Sequence, residues 1–135
     1  MTTEEMQELL DASAVMTTLG LTVTAADAER GRATLRMPIN DQVERGAGSG
    51  QFHGGAIAAF VDIAGDMAIA ARVGGGVPTI NLRVDYLRPA HGAHLTAEAA
   101  ARRIGRTIGV VDVDVRDDEG RLCAVGRGTY STTVG

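Results

Sequence analysis

The sequence predicts an α+β fold in which an antiparallel sheet packs against one long, buried helix. Residues 54–73 are almost entirely apolar, and a helix that is apolar on all sides is normally buried. Strand-like runs follow this segment without an intervening helix, and strands in such succession usually pair antiparallel. A chain of 135 residues fits one core, so we expect a single domain over residues 1–135.

The first element is predicted as a helix over residues 3–19. Thr2 or Thr3 can cap it, and the acidic residues Glu4 and Glu5 suit the positive N-terminal end of the helix dipole. Its apolar residues recur at helical spacing and form a loose stripe, made of Met6, Leu9, Leu10 and Val15. Gly20 then ends the helix.

The remaining segments are predicted as strands. A hairpin with strands near 21–27 and 32–37 turns at residues 29–31, and a polar, glycine-rich loop covers 38–52. After the long helix and the breaker at 74–76, apolar residues alternate with polar ones, as strands with one buried face require. These later strands lie within residues 78–88, 93–104, 107–117 and 121–133. The second is the least certain of the four, because it is rich in alanine.

Composition and charge exclude several classes of function. The net charge is −4 and all thirteen basic residues are arginines, so lysine-dependent chemistry is excluded. The arginines are scattered, which argues against a nucleic-acid surface. The single Cys123 excludes an intrachain disulfide, and residues 1–10 do not resemble a secretory signal, so we expect a cytoplasmic protein.

Two aspartates lie within the apolar helix, at Asp62 and Asp66. Carboxylates at this depth would be costly in lipid, so a transmembrane helix is not expected. Burial disfavours the charged form of a carboxylate and raises its pKa toward neutrality, which makes Asp62 a candidate base. Residues four apart share one helix face, so the two acids could share a proton or flank a substrate. For Asp66, a structural or solvent-facing role is favoured over a catalytic one.

The sequence His53-Gly54-Gly55 stands where the chain enters the same helix. The first N–H groups of a helix lack intrahelical partners, and glycine allows a ligand carbonyl to come close to them. Such donors can stabilise the oxyanion of acyl transfer. We expect Gly54 or Gly55 to supply this contact, and His53 to orient the loop or the substrate.

Three other patterns are weaker. His91 and His94 have a spacing that metal ligands can show, but no Cys or acidic cluster accompanies them, so zinc is not expected. Residues 46–51 read GAGSGQ, which fits neither a dinucleotide loop nor a P-loop. Ser49 lies outside a serine-hydrolase motif.

Four segments in order carry a family resemblance. They are His-Gly-Gly followed after six residues by Asp62, the glycine breaker, the run PTINLRVDYLRPA, and Gly-Arg-Thr before a valine-rich strand. From about residue 20 to its end, the chain resembles the hotdog-fold acyl-CoA thioesterases of the phenylacetic-acid-degradation type. The resemblance implies a sheet wrapped around a central helix, in homodimers with their sites at the subunit interface and often in dimers of dimers.

The resemblance also implies residue roles. Asp62 would be the general base or nucleophile, Gly54 or Gly55 would polarise the thioester carbonyl, and Thr79 from the partner subunit would position water. The segments matching the family's pantetheine and nucleotide contacts contain Tyr86, Arg88, His91, Arg106, Thr107 and Gly109. Of these, Arg88 and Arg106 are the candidates for the CoA phosphates. No metal and no cofactor other than the CoA of the substrate is implied.

The chain departs from the family pattern at two positions. Where the family usually has Asn or Gln, six residues before the histidine, this chain has Ala47, and Asn40 or Gln51 could substitute. One turn after the catalytic acid, where Thr or Ser is frequent, it has Asp66. Losing an amide donor would remove an electrostatic contact to the transition state.

The function expected from these residues is metal-independent hydrolysis of an acyl-CoA or related thioester. The helix face at residues 58–60 and the loop near Val43 are expected to set the acyl size. A non-catalytic acyl-CoA-binding hotdog protein remains the alternative, which Ala47 favours and Asp62 opposes. A dehydratase of the same fold needs a different arrangement of His and acid.

Overall fold

The computed structural model describes all 135 residues and contains three helices and six strands. The helices are α1 (Thr3–Asp11), α2 (Ala14–Thr18) and α3 (Gly54–Val73). The strands are β1 (Thr22–Asp27), β2 (Arg32–Pro38), β3 (Thr79–Tyr86), β4 (His94–Ile104), β5 (Ile108–Asp117) and β6 (Leu122–Ser131). The six predicted strands are therefore confirmed, including the alanine-rich β4.

The strands form one antiparallel sheet in the order β1-β2-β4-β5-β6-β3. Helix α3 packs across one face of this sheet and contacts all six strands. The α+β prediction and the hotdog arrangement, a sheet around one central helix, are confirmed. Strand β3 is at one end of the order, so its outer edge has no strand beside it.

Helix α3 begins and ends where its sequence signals place it. His53 is the N-cap, and Gly74 ends the helix in the left-handed conformation, with φ of 91°, which glycine adopts without strain. Most of the apolar side chains between these caps are buried in the core. No helix in the structure combines the length and the apolar composition that crossing a bilayer requires.

The N-terminal prediction is wrong in one respect, because residues 3–19 form two helices instead of one. Thr2 caps α1 in a reciprocal arrangement with Glu5. The chain then breaks at Ser13, whose backbone is extended and whose hydroxyl accepts from the N–H of Met16, so Ser13 caps α2. Because of this break Val15 turns outward and is 63% exposed, while Met6 and Leu10 are buried as expected.

The alternation of apolar and polar residues along the strands determines which face of the sheet packs against α3. The valines of β5 at 111, 113 and 115 are buried toward α3, while the acids between them lie on the outer face. Edge strand β3 shows the same alternation less clearly. Leu82 and Val84 are half-buried, whereas Ile80, the second residue of the strand, and Tyr86, the last, are more than half exposed.

Tyr130 of β6 lies fully buried under α3, and two glycines make room for its ring. Its hydroxyl donates to the backbone carbonyl of Asp62 at 2.9 Å. A β-carbon added at Gly65 or at Gly128 would overlap this hydroxyl. Burial raises the pKa of Tyr130 above its ordinary range, so the hydroxyl stays protonated and can donate. The contact fixes the turn of α3 that carries both aspartates.

The substitution Gly65→Ala is expected to destabilise the protein, although alanine is the better helix former. The gain in helix propensity is about 1 kcal/mol. Displacing the Tyr130 ring and losing its hydrogen bond costs more, so we expect a net loss of about 2 kcal/mol. Urea unfolding at fixed protein concentration measures it.

Gly46→Ala is the matched control, since no atom lies within 4 Å of a β-carbon placed there. We expect it to leave the unfolding midpoint unchanged. A Gly65→Ala protein as stable as the wild type would show that Tyr130 does not hold the helix.

Candidate active site

The first turn of α3 offers one free backbone donor. The Nδ1 atom of His53 accepts from the N–H of Gly55 at 2.8 Å, so that donor is already engaged. The N–H of Gly54 has no such partner, and the first N–H groups of a helix lack intrahelical acceptors. Of the two glycines, Gly54 is therefore the one whose N–H is free to donate to a ligand. Because Nδ1 accepts, a neutral imidazole carries its proton on Nε2.

Gly54 opens onto a cavity of about 480 Å³. The hydroxyl of Tyr86 donates to the carbonyl of Gly54, which ties the end of β3 to the start of α3. Arg88 and Gln51 also line the cavity, as does Arg45, which the sequence did not single out. Neither arginine has a carboxylate partner within salt-bridge distance. The cavity thus combines a free N–H donor with two unpaired cations.

Asp62 lies half-buried near the middle of α3 and is held by Thr79. The hydroxyl of Thr79 donates to Oδ1 of Asp62 at 2.7 Å. Thr79 is the first residue of edge strand β3 and is itself exposed, so the pair lies at the open edge of the sheet. Oδ2 of Asp62 accepts no hydrogen bond within the chain, which leaves it available to a water molecule.

Asp66, one turn further along α3, has a structural partner. Its Oδ1 accepts from the N–H of Val77 at 2.9 Å, in the loop between α3 and β3. Burial, with a smaller contribution from the charge of Asp62, raises the pKa of Asp66 to about 6, against the lowering effect of the Val77 hydrogen bond. Because folding raises this pKa, the stability that Asp66 contributes is present in acid and is lost as the pH rises through about 6.

Within one chain, the Gly54 N–H is separated from the pair formed by Asp62 and Thr79. Gly54 and Asp62 are eight residues apart on a rigid helix, which is about 12 Å along its axis. One thioester carbonyl cannot contact the Gly54 N–H and the Asp62 carboxylate of the same chain. The family resemblance implied that Thr79 comes from the partner subunit, and within this chain the Thr79 hydroxyl donates to Asp62. Asp62 and Thr79 must therefore reach any site together.

The other predicted CoA contacts do not line the Gly54 cavity. Arg106 and Thr107 are exposed in the turn between β4 and β5. The start of β5, which follows this turn, pairs with the C-terminal end of β6. Gly109 is buried, and a β-carbon there would overlap Ile69 of α3, so it serves packing. His91 is exposed and forms a backbone bridge with Gln51. Of these residues, only His91 is next to the Gly54 cavity, through its bridge with the lining residue Gln51.

Asn40 and Gln51, the two residues expected to replace the amide missing at Ala47, have different surroundings in the loop before α3. Ala47 is exposed, and Asn40 uses its side-chain oxygen to accept from the N–H of Gln42. Gln51 instead lines the cavity with Gly54, and its side chain has no hydrogen-bond partner in the chain. Val43 and Phe60, expected near the acyl group, are fully buried in the core. Of the predicted acyl-facing residues, only Ala58 and Ala59 remain partly accessible.

The chain matches the model of a known protein family. The sequence model of the thioesterase superfamily matches residues 49–124, which is more than half of the chain and includes the Gly54 cavity, Asp62 and Thr79. A protein of Halobacterium salinarum, named as a candidate esterase, is 37% identical over 136 aligned residues, covering 93% of this chain and 88% of the relative. The medium/long-chain acyl-CoA thioesterase YigI of Escherichia coli is 31% identical over 97 residues, covering 58% of this chain and 60% of that protein.

Solved structures agree with the family match. A phenylacetic-acid-degradation-related protein of Ralstonia eutropha, described as a candidate thioesterase, superposes with a TM-score of 0.80 at 28% identity. The superposition covers 94% of this chain and 98% of that one. Fold, family match and identity lead to one conclusion: the chain belongs to the thioesterase superfamily, as a hotdog-fold member similar to the phenylacetic-acid-degradation type.

Proposed function

We propose that this protein hydrolyses acyl-CoA thioesters in sites formed between two copies of the chain. The observation that carries the proposal is the Asp62 carboxylate, held by Thr79 at the open edge of the sheet, in a member of the thioesterase superfamily. A carboxylate so placed can take a proton from water or attack a carbonyl. The complementary group, a free N–H at a cavity, is supplied by Gly54.

Pairing of two β3 edges would bring these groups together. Thr79 and Tyr86 are the two ends of β3, about 23 Å apart in an extended strand. In an antiparallel pairing about a two-fold axis at the middle of β3, Thr79 of one chain lies near the partner's Tyr86. Since Tyr86 bonds to Gly54, and Thr79 to Asp62, the pairing places each Asp62 beside the partner's Gly54. Two equivalent sites result.

The mechanism follows from these placements. Asp62 takes a proton from a water molecule, whose oxygen attacks the thioester carbonyl carbon. The negative charge that develops on the carbonyl oxygen is stabilised by the N–H of the partner's Gly54. Collapse of the tetrahedral intermediate breaks the C–S bond, and the departing thiolate takes the proton back from Asp62. Direct attack by Asp62 would pass through an anhydride and give the same products.

Charge supports CoA as the thiol carrier. Arg45 and Arg88 flank the cavity without carboxylate partners, and guanidinium groups bind phosphate oxygens in a bidentate manner. In the proposed dimer, Arg106 of the turn between β4 and β5 would approach from the partner. The relative YigI is named for medium- and long-chain acyl-CoA, which agrees with this carrier. Ala58 and Ala59, half-buried on α3, leave room for an acyl chain.

A non-catalytic acyl-CoA-binding protein is the second candidate. The feature in its favour is Ala47, which provides no amide where the family usually has one. The unpaired side chain of Gln51 in the Gly54 cavity weakens that argument, since it offers an amide close to the same site.

Asp62→Asn tests catalysis directly. We expect wild type to release free thiol from members of a panel of phenylacetyl-, benzoyl-, short-chain and medium-chain acyl-CoAs. The variant should lose at least about 100-fold in kcat, because it lacks the base but keeps an acceptor for Thr79. Asp114→Asn, on the outer face of the sheet, should leave kcat unchanged. Binding of acyl-CoA without thiol release by wild type would identify a binding protein.

Gly54→Pro tests the oxyanion donor. Proline removes the N–H, is favoured at the first position of a helix, and follows a residue whose extended backbone suits it. We expect kcat to fall by about 10²- to 10³-fold with the fold intact by circular dichroism. Gly54→Ala keeps the N–H, and its added carbon meets Tyr86 at an ordinary 3.6 Å, so it should retain most activity. Equal losses in both variants would point to crowding by the added carbon.

Mixing the two inactive variants tests whether sites are shared between chains. In a dimer of one Gly54→Pro chain and one Asp62→Asn chain, one site keeps both Asp62 and the partner's Gly54. Random pairing makes half of the dimers mixed, so co-expression should restore about a quarter of wild-type activity. If each chain held a complete site, the mixture would be as inactive as either variant alone.

A further inference from the structure

Two carboxylates of α3 hold one short segment of the chain at two points. Asp66 accepts from the N–H of Val77 at 2.9 Å, and Asp62 accepts from the hydroxyl of Thr79 at 2.7 Å. Asp66 comes after Asp62 in the helix, whereas its partner Val77 comes before Thr79 in the segment. Segment 77–79 therefore runs antiparallel to α3 where the two meet.

The spacings of these two contacts match. Four residues of helix rise about 6 Å, and two residues of extended chain span about 6.6 Å. The Asp66–Val77 bond therefore fits the register in which Thr79 meets Asp62. Strand β6 also holds this register, because the Ser131 N–H donates to the carbonyl of Pro78 at 2.9 Å. A slip of one residue would turn the Thr79 side chain to the opposite face of the strand, because successive side chains alternate.

We propose that Asp66 is a positioning residue for hydrolysis, which anchors Val77 so that the Thr79 hydroxyl is presented to Asp62. The role rests on the proposed function. Asp66 does not touch the reacting atoms in this scheme. It acts through the loop after α3, which contains Gly74, Gly75 and Gly76. Glycine restricts the backbone little, so the position of the start of β3 depends on hydrogen bonds such as the one from Val77 to Asp66.

A purely structural tie would not need a carboxylate. An amide oxygen could accept from Val77 without the cost of burying a charge. The ionisable groups that face Asp66 are Asp62 on its own helix and the Tyr130 hydroxyl on β6, while the loop before β3 presents the Val77 N–H. An ionised acceptor makes a stronger hydrogen bond than a neutral one. The hydrogen bond from the Val77 N–H to Asp66 should therefore become stronger as Asp66 loses its proton.

Two substitutions separate positioning from packing. Asp66→Asn keeps an oxygen for Val77 and has nearly the same size, whereas Asp66→Leu removes the acceptor. We expect Asp66→Leu to lower kcat by about 10- to 100-fold, because the Asp62 carboxylate and the Thr79 hydroxyl are no longer aligned. KM should stay within about threefold of wild type, because substrate binding is not affected. Asn should rescue kcat at pH 8 to within about threefold of wild type.

The pH profile supplies a readout that packing alone would not move. Wild-type kcat should fall by up to about threefold as the pH drops through about 6, because protonated Asp66, like Asn, is a neutral and weaker acceptor for the Val77 N–H. The Asn variant should lack this decrease. A Leu variant with wild-type kcat and a lower melting temperature would overturn the proposal, and so would an Asn variant as inactive as Asp62→Asn. If Leu fails to fold, a decrease near pH 6 that persists in Asn overturns it.

A measurement without substrate keeps this proposal distinct from the proposed function. By NMR, the amide proton of Val77 should shift with a midpoint near pH 6 in wild type and stay constant in Asp66→Asn. Absence of thiol release from every acyl-CoA tested would overturn the proposed function, and the positioning role with it, even if Val77 titrates. Thiol release together with a Val77 amide that does not titrate would overturn the positioning role alone.

Discussion

Burial of α3 across one face of the sheet is the constraint on which the rest of the structure depends. The helix can bury its apolar surface only by packing against the strands, so its polar groups must emerge where the sheet ends. They do so at edge strand β3, which bonds to Gly54 through Tyr86 and to Asp62 through Thr79. The same rigidity holds the Gly54 donor and the Asp62 carboxylate about 12 Å apart, which is why the proposed site needs two chains.

The fold could be predicted from sequence because its strongest patterns are long. The apolar run of residues 54–73, bounded by His53 and Gly74, permitted only a buried helix, and the alternating valines of β5 permitted only a strand with one buried face. The error at residues 3–19 has a local cause. A loose apolar stripe was weighed above Ser13, a residue that readily caps a new helix, and the cap prevailed.

The site could be predicted only in part, because its details depend on where side chains point. Sequence identified Gly54 and Gly55 together, but only the direction of the His53 ring shows that Gly55 is engaged. Similarly, Gln51 and Asn40 were equal candidates until the structure placed one in the cavity and the other in a turn. Arg45 gave no signal, since an isolated arginine in a polar loop is usually no more than a solvated charge.

Two aspartates in the most apolar helix of the chain would be a poor choice for stability alone. Each costs desolvation, and their mutual repulsion adds to the burial that raises the pKa of Asp66. The cost becomes intelligible when the two have different partners. Thr79 leaves one oxygen of Asp62 open to water at the sheet edge, whereas Asp66 faces the loop that delivers Thr79. One carboxylate is thus available for chemistry because the other fixes the strand beside it.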